Sequence, residues 1–185
     1  MRHLTRADYL AMPWANGRGT TLELARADGP DGMEWRLSIA SVVEDGAFSR
    51  FPGVDRVLTV LDGPGFRLQG SGLLLEALPL APVAFPGDVA IAAVGVTAPC
   101  TDFNVMVARG LTRAEVTHWG AVKVGPGALV FVLALEGGTI GVNGTAHAVQ
   151  PLDLMRLDAG DSAEPQCRHI RVGLFRTGRL DLPLR

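Results

Sequence analysis

Apolar and polar residues alternate with a period of two along much of the chain, and this spacing is typical of β-strands. The clearest segments are short, rich in β-branched or aromatic residues, and closed by Gly, Pro or Asp: EWRLSIASV (34–42), DRVLTVLDG (55–63), DFNVMVARG (102–110), GALVFVLALEGG (127–138) and HIRVGLF (169–175). Helical patterns are weak and confined to 6–12 and 110–116. The pattern therefore predicts an all-β fold built as a sandwich, a jelly roll or a barrel.

A faint internal repeat divides the chain into two halves. In each half an apolar strand leads into a Gly-rich hairpin, over 57–72 in the first half and 130–146 in the second. A Pro-x-Asp turn follows in both, at 86–88 and 151–153. Because no Pro- or Ser-rich linker separates the halves, we predict a duplicated barrel packed as one body, with halves of about 10–110 and 111–180.

Composition and charge narrow the class of protein. Of the 185 residues 48% are hydrophobic and 19% charged, which is typical of a folded domain. The formal net charge is −2 and Lys123 is the single lysine, so a basic nucleic-acid surface is not expected. The chain has neither a secretory apolar core at its start nor an apolar run long enough for a membrane helix. We therefore expect a cytoplasmic protein in which Cys100 and Cys167, which lack metal-type spacing, are reduced thiols.

Motifs for catalysis, metal binding and phosphate binding are missing from the sequence. The four histidines form no HxH, HxxxH or HExxH pattern, so we expect them at the surface or at strand edges, with no metal and no cofactor. No GxSxG nucleophile motif occurs. The stretch NGRGTT (16–21) lacks the spacing and the lysine of a phosphate-binding loop, and is interpreted as a turn that precedes a strand.

Polar residues recur on one face of otherwise apolar strands. They are Arg36 and Ser38, then Arg56, and then Asp102, Asn104 and Met106. Solvent exposure explains any one of them, but together they favour a barrel lumen that carries a few polar groups in an apolar cup. Arginine in such a lumen suits a carboxylate, which it can bind with two parallel hydrogen bonds. The alternative is that Asp55, Asp88 or Asp102 neutralises these arginines without any ligand.

Several longer stretches resemble the HutD/Ves family of bacterial proteins. The matching segments are MPWANGRGTTLEL (12–24), EWRLSIASVVEDGAFSRFPGVDRVLTVLDGPG (34–65), VAFPGD (83–88) and TDFNVMVARG (101–110). They cover most of the first 110 residues in the same order and spacing, whereas the likeness is looser after Thr112. The resemblance implies an all-β bicupin, meaning two cupin-like jelly-roll barrels in one chain, without the cupin metal motif.

The resemblance also implies where a ligand would bind. The family pocket draws on a Trp-Asn segment, a Trp-Arg-x-Ser strand, an Asp-Arg pair and an Asp-Phe-Asn-x-Met segment. The positions in this chain are Trp14, Asn16, Arg36, Ser38, Asp55, Arg56, Asp102, Asn104 and Met106. We add Phe48 as an apolar wall. Arg18 stands where relatives often have glycine, so its role is left open.

Three functional hypotheses follow. The first is a non-enzymatic regulator of histidine utilisation that binds a carboxylate metabolite such as N-formylglutamate or urocanate, as the resemblance implies. The second is a metal-free cupin enzyme, an isomerase or hydrolase of a small acid, in which Asp55, Asp88 or Asp102 acts as general base. The third is a structural or partner-binding protein. The resemblance also leaves open a Ves-like protein, because Ves-like relatives are associated with stress responses. The expected partners are a small carboxylate and, at most, a second copy of the chain as a homodimer, with neither nucleic acid nor membrane.

Overall fold

The computed structural model describes residues 1–13 and 20–177, and this part of the chain is almost entirely β-structure. It contains strands β1–β19 in four sheets and one short 3-10 turn, Arg6–Asp8, but no α-helix. The predicted all-β class is confirmed. The weak helical pattern at 110–116 is wrong as a helix, because Thr112–His118 pairs in register with a neighbouring strand.

The first half forms two antiparallel sheets. The six-stranded sheet has the order β2-β3-β4-β11-β6-β9, with strands β2 (Leu10–Pro13), β3 (Thr20–Gly29), β4 (Gly32–Val42), β11 (Cys100–Ala108), β6 (Val54–Asp62) and β9 (Val83–Pro86). The four-stranded sheet has the order β5-β10-β7-β8, with strands β5 (Gly46–Ala47), β10 (Ala92–Val94), β7 (Phe66–Gly70) and β8 (Leu73–Ala77). The space between these two sheets is called the first lumen below.

The second half repeats this arrangement. Its five-stranded sheet has the order β1-β17-β14-β19-β12, with strands β1 (Arg2–Leu4), β17 (Leu154–Leu157), β14 (Ala128–Ala134), β19 (His169–Arg176) and β12 (Thr112–His118). Its four-stranded sheet has the order β13-β18-β15-β16, with strands β13 (Val122–Lys123), β18 (Ser162–Pro165), β15 (Gly138–Val142) and β16 (Thr145–Val149). The start of the chain, β1, therefore belongs to the sheet of the second half. The space between these sheets is called the second lumen.

The two large sheets pack against each other and form a third apolar layer, called the seam. Trp35, Phe103 and Phe131 are all buried there, and the rings of Trp35 and Phe131 lie 5.3 Å apart between centroids. Successive side chains on a strand point to opposite faces. The strands of the seam therefore bury one face between the halves and the other face in a lumen. This explains why the segment 127–138 is apolar throughout instead of alternating.

Hydrogen-bond register shows how the two halves correspond. Asp102 on β11 pairs with Val60, and His169 on β19 pairs with Ala134. A Pro-Leu turn bonds to each of those partners, because Leu80 N donates to Val60 O and Leu152 N donates to Ala134 O, both at 2.8 Å. Asp102 and His169 therefore occupy equivalent positions.

This correspondence changes the alignment predicted from the sequence. The turn at 151–153 matches 79–81 and not the Pro-Gly-Asp segment at 86–88, because both Pro-Leu turns bond to the end of the corresponding interior strand, β14 or β6. Leu80 and Leu152 adopt the same left-handed conformation, with φ of 57° and 70°. Side chains other than glycine rarely adopt this conformation, so a sequence pattern gives little sign of it.

The structure also shows the state of the two cysteines and the extent of the helical structure. Cys100 and Cys167 are both buried, and neither forms a disulfide within the described residues. Within the ranges 1–13 and 20–177, none of the helical structure is long and apolar enough to cross a membrane.

Candidate functional site

A buried arginine lies in the first lumen. Arg56 is on β6 and is only 5% exposed. Its guanidinium carbon lies 5.2, 5.5 and 4.9 Å from the ring centroids of Phe48, Phe51 and Phe85. The electron-rich faces of aromatic rings attract a cation at such distances, so the three rings offset part of the hydration that Arg56 loses on burial.

Asn104 links Arg56 to a fully buried carboxyl group. Arg56 Nη2 donates to Asn104 Oδ1 at 2.7 Å, and Asn104 Nδ2 donates in turn to Asp102 Oδ1. Arg56 Nε and Asp102 Oδ2 have no hydrogen-bond partner among the described residues. Buried polar atoms are nearly always partnered, so a ligand or water is expected at these two atoms.

The protein environment shifts the pKa values of Asp102 and Arg56, the two ionisable groups that Asn104 links. Burial raises the pKa of Asp102 to about 7, although the charge of Arg56 opposes the shift. Burial lowers the pKa of Arg56 to about 10, against the attraction of Asp102 and with a further decrease caused by Arg36. Arg56 therefore stays cationic at neutral pH, while Asp102 is partly protonated and neutralises it incompletely.

A second arginine lies beside the first. Arg36 Nε and Glu23 Oε2 lie 2.7 Å apart, but the two atoms are misaligned for a hydrogen bond, so the contact is an ion pair. Arg36 Nη2 also lies 4.0 Å from Met12 Sδ. Met106 pairs in register with both Arg36 and Arg56, and therefore lies between the two arginines on the same face of the sheet. Since Glu23 balances the charge of Arg36, Arg56 is the less compensated of these two cations.

Most of the residues predicted for the pocket come together in the first lumen. They are Arg36, Ser38, Phe48, Arg56, Asp102, Asn104 and Met106. The interpretation of shared strand faces accounts for this grouping, since the alternate residues Trp35, Leu37, Phe103 and Val105 pack in the seam. Trp14 and Asn16 lie outside the described residues, as does Arg18.

Asp55 is the predicted pocket residue that lies apart from this group. Its side chain is half exposed on the opposite face of β6 from Arg56, and Asp55 Oδ1 lies 2.7 Å from Arg109 Nη2. Arg109 Nη1 also lies 2.5 Å from Asp88 Oδ2, and Asp88 accepts a hydrogen bond from Gly53 N. Asp55 and Asp88 therefore neutralise Arg109 in an exposed cluster outside the first lumen, called the rim below. Of the three carboxylates considered, only Asp102 lies near Arg56.

Sequence reasoning missed several residues of the site. Glu23 was not singled out, although its alternation in 20–24 places it on a strand next to Arg36. Phe51 and Phe85 contact Arg56, and Phe85 could be found only from the pairing of β9 with β6. His169 is 2% exposed and not at the surface as expected, because β19 is an interior strand, paired with β14 and β12, and is covered on both faces.

No group of three His, Cys, Asp or Glu side chains within the described ranges is arranged to hold a metal ion. The chemistry that these residues support is the binding of an anion by Arg56, with Asn104 and Asp102 available for hydrogen bonds. Asp102 could also exchange a proton near neutral pH, because its pKa lies close to 7.

Comparison with known proteins gives one family. A Pseudomonas putida protein of 21.2 kDa from the 3′ region of hutC is 35% identical over 165 residues, which cover 85% of this chain and 87% of that protein. Protein Ves of Cronobacter sakazakii is 37% identical over 114 residues, covering 59% of this chain and 63% of that protein.

Solved structures agree with these relatives. HutD from Pseudomonas fluorescens SBW25 superposes with a TM-score of 0.82 at 33% identity, over 96% of this chain and 99% of that one. A cupin 2 conserved barrel domain protein from Leptotrichia buccalis has a TM-score of 0.56 at 9% identity, over 86% and 89% of the two chains, which shows the cupin-like fold alone. The HutD family model matches residues 6–172. The chain therefore belongs to the HutD family.

Proposed function

We propose that this chain is a small-molecule-binding protein that holds a carboxylate metabolite in its first lumen and regulates histidine utilisation. The observation that carries the proposal is Arg56, a buried cation whose Nε has no partner among the described residues and whose nearest carboxyl group, Asp102, is partly protonated. A carboxylate ligand would supply the missing negative charge and accept hydrogen bonds from the guanidinium.

The proposed ligands are N-formylglutamate and urocanate. Both carry a carboxylate for Arg56, and both carry further polar groups that Asn104 or Asp102 can bind. Phe48, Phe51 and Phe85 provide an apolar wall around the same guanidinium. Membership of the HutD family and the relative from the hutC region support the histidine pathway.

Calorimetry with the two compounds tests this proposal. Arg56→Met removes the guanidinium but keeps a long apolar side chain, and we expect at least tenfold weaker binding, because a hydrogen bond to a charged group contributes about 1.5–3 kcal/mol. Arg109→Met is the matched control, since Arg109 lies at the rim with Asp55 and Asp88. The control should bind like the wild type.

Two results would contradict the proposal. One is the absence of binding of either compound to the folded wild-type protein. The other is an Arg56→Met variant that binds as tightly as the wild type.

A metal-free enzyme is the second candidate, and the raised pKa of Asp102 favours it. A carboxyl group that titrates near pH 7 is suited to general acid–base catalysis. Its test is turnover of either compound, followed by NMR, with Asp102→Asn as the variant. Turnover that Asp102→Asn abolishes would establish the enzyme, whereas unchanged compounds after prolonged incubation would exclude these two substrates.

A further inference from the structure

The second lumen carries its own polar side chains on the interior strand β19. Ile170, Val172 and Leu174 pack in the seam, so the alternate residues His169 and Arg171 point to the other face. Arg171 pairs in register with Val132, whose side chain belongs to the core of the second lumen. By the correspondence of the halves, His169 and Arg171 occupy the positions of Asp102 and Asn104.

Arg171 supplies a cation that the described protein does not neutralise. Its side chain is half-buried, and Arg171 Nε donates to Thr117 Oγ1 at 3.0 Å. No carboxylate within residues 1–13 and 20–177 forms an ion pair with it. Both terminal nitrogens of the guanidinium are therefore left for another acceptor, and a carboxylate fits their spacing.

His169 supplies a buried hydrogen-bond acceptor. His169 Nδ1 lies 2.9 Å from Cys167 O, and a carbonyl oxygen can only accept, so Nδ1 carries the proton. In the neutral ring Nε2 is then an acceptor, and it has no partner among the described residues although the side chain is 2% exposed. A ligand with a hydroxyl or N–H group would satisfy it.

Trp119 marks the boundary of this group with solvent. Its ring packs edge-on against His169 with centroids 6.0 Å apart, while half of the side chain is exposed. Trp119 has a φ of 62°, a left-handed conformation that bulky residues rarely adopt. Burial lowers the pKa of His118, which disfavours a positive charge on this neighbouring ring. The net charge of the group therefore suits a monoanion.

We propose that the second lumen holds a second binding site, for a small monocarboxylate that carries a hydroxyl or N–H group next to its carboxylate. Arg171 binds the carboxylate, His169 Nε2 accepts the hydrogen bond from the neighbouring donor, and Trp119 covers the site. Alternate residues of a strand lie about 7 Å apart, a distance that the long arginine side chain and a small ligand bridge together. This site does not depend on the first lumen or its ligand.

The test is an NMR titration of the isotope-labelled protein with glycolate and, separately, with acetate. Chloride is exchanged for the added carboxylate so that the ionic strength stays constant. Glycolate has a hydroxyl next to its carboxylate, and acetate lacks it. We expect glycolate to shift the Trp119 indole N–H and Gly173 amide signals saturably, and to bind several-fold more tightly than acetate. Equal affinities, or no saturable shift with glycolate, would overturn the proposal.

Variants assign the two contacts separately. Arg171→Met should weaken glycolate binding at least about tenfold. His169→Asn keeps a donor for Cys167 O, but its shorter side chain places no acceptor at the position of Nε2, so it should lower the affinity for glycolate to that for acetate. Arg176→Met, an exposed arginine at the end of the same strand, is the control and should bind normally.

The Arg56→Met variant distinguishes binding at this site from binding in the first lumen. The Trp119 and Gly173 shifts should persist in Arg56→Met, whatever that variant does to binding elsewhere. Full glycolate binding in both Arg171→Met and His169→Asn would show that the site is not the one described.

Discussion

Phe131→Ala is expected to lower the free energy of unfolding by about 3–5 kcal/mol, the usual cost of removing a large aromatic side chain from a core. Phe131 is fully buried in the seam, where its ring packs 5.3 Å from Trp35. The surrounding side chains come from two sheets that are held by separate hydrogen-bond networks. Side chains held in two separate sheets move little into the cavity that the substitution leaves, so we expect a loss of unfolding free energy in the upper part of this range.

Urea unfolding followed by circular dichroism measures this loss. Phe175→Ala is the matched control, because Phe175 lies on the same sheet but is half-buried and stacked with Arg113. The control should lose clearly less stability. A loss below about 1 kcal/mol for Phe131→Ala would show that the seam does not hold the two halves together.

Asp102→Asn is expected to make the protein more stable relative to the wild type as the pH rises. The pKa of Asp102 is about 7 in the folded protein, above the ordinary value of 3.8 expected in the unfolded chain. The folded state therefore binds the proton more tightly, and stability from this group is greatest below about pH 4 and is lost as the pH rises to 7. Asparagine keeps the oxygen that accepts from Asn104 and does not titrate.

Unfolding free energies of both proteins at pH 5 and pH 8 measure the effect. Linkage gives a change of about 2–3 kcal/mol in the difference between variant and wild type over this interval, in favour of the variant at pH 8. Asp31→Asn, on an exposed turn, is the control and should show a constant difference. A constant difference for Asp102→Asn would mean that Asp102 is already ionised at pH 5.

Strand periodicity predicted much of the fold and part of the first lumen. Arg36 and Ser38 lie on one face of β4, and Asp102, Asn104 and Met106 on one face of β11, as their alternation indicates. Alternation predicted these shared faces because each strand carries polar residues on its lumen face and apolar residues on its seam face. The alternate face of these strands packs in the seam, and the sequence pattern alone did not show that this apolar layer lies between the two halves.

Pairing between strands that are distant in sequence determines several contacts that the strand pattern could not predict. Arg56 meets Phe85 because β9 pairs with β6, and β1 joins β17 across about 150 residues of chain. Asp55 is adjacent to Arg56 in sequence, yet it points to the rim because neighbouring strand residues face opposite ways. His169 belongs to no sequence motif, and its burial follows only from the pairing of β19 with a strand on each side.

The correspondence between β11 and β19 shows how a repeat can diverge on one side of a strand alone. On the seam face, the pairs Phe103 and Ile170, Val105 and Val172, and Val107 and Leu174 remain apolar in both halves. On the lumen face, an acid is matched by an imidazole at 102 and 169, and an amide by a guanidinium at 104 and 171. In these strands the two halves thus differ towards the two interiors, so the two proposed sites would give one chain the means to distinguish two chemically unlike molecules.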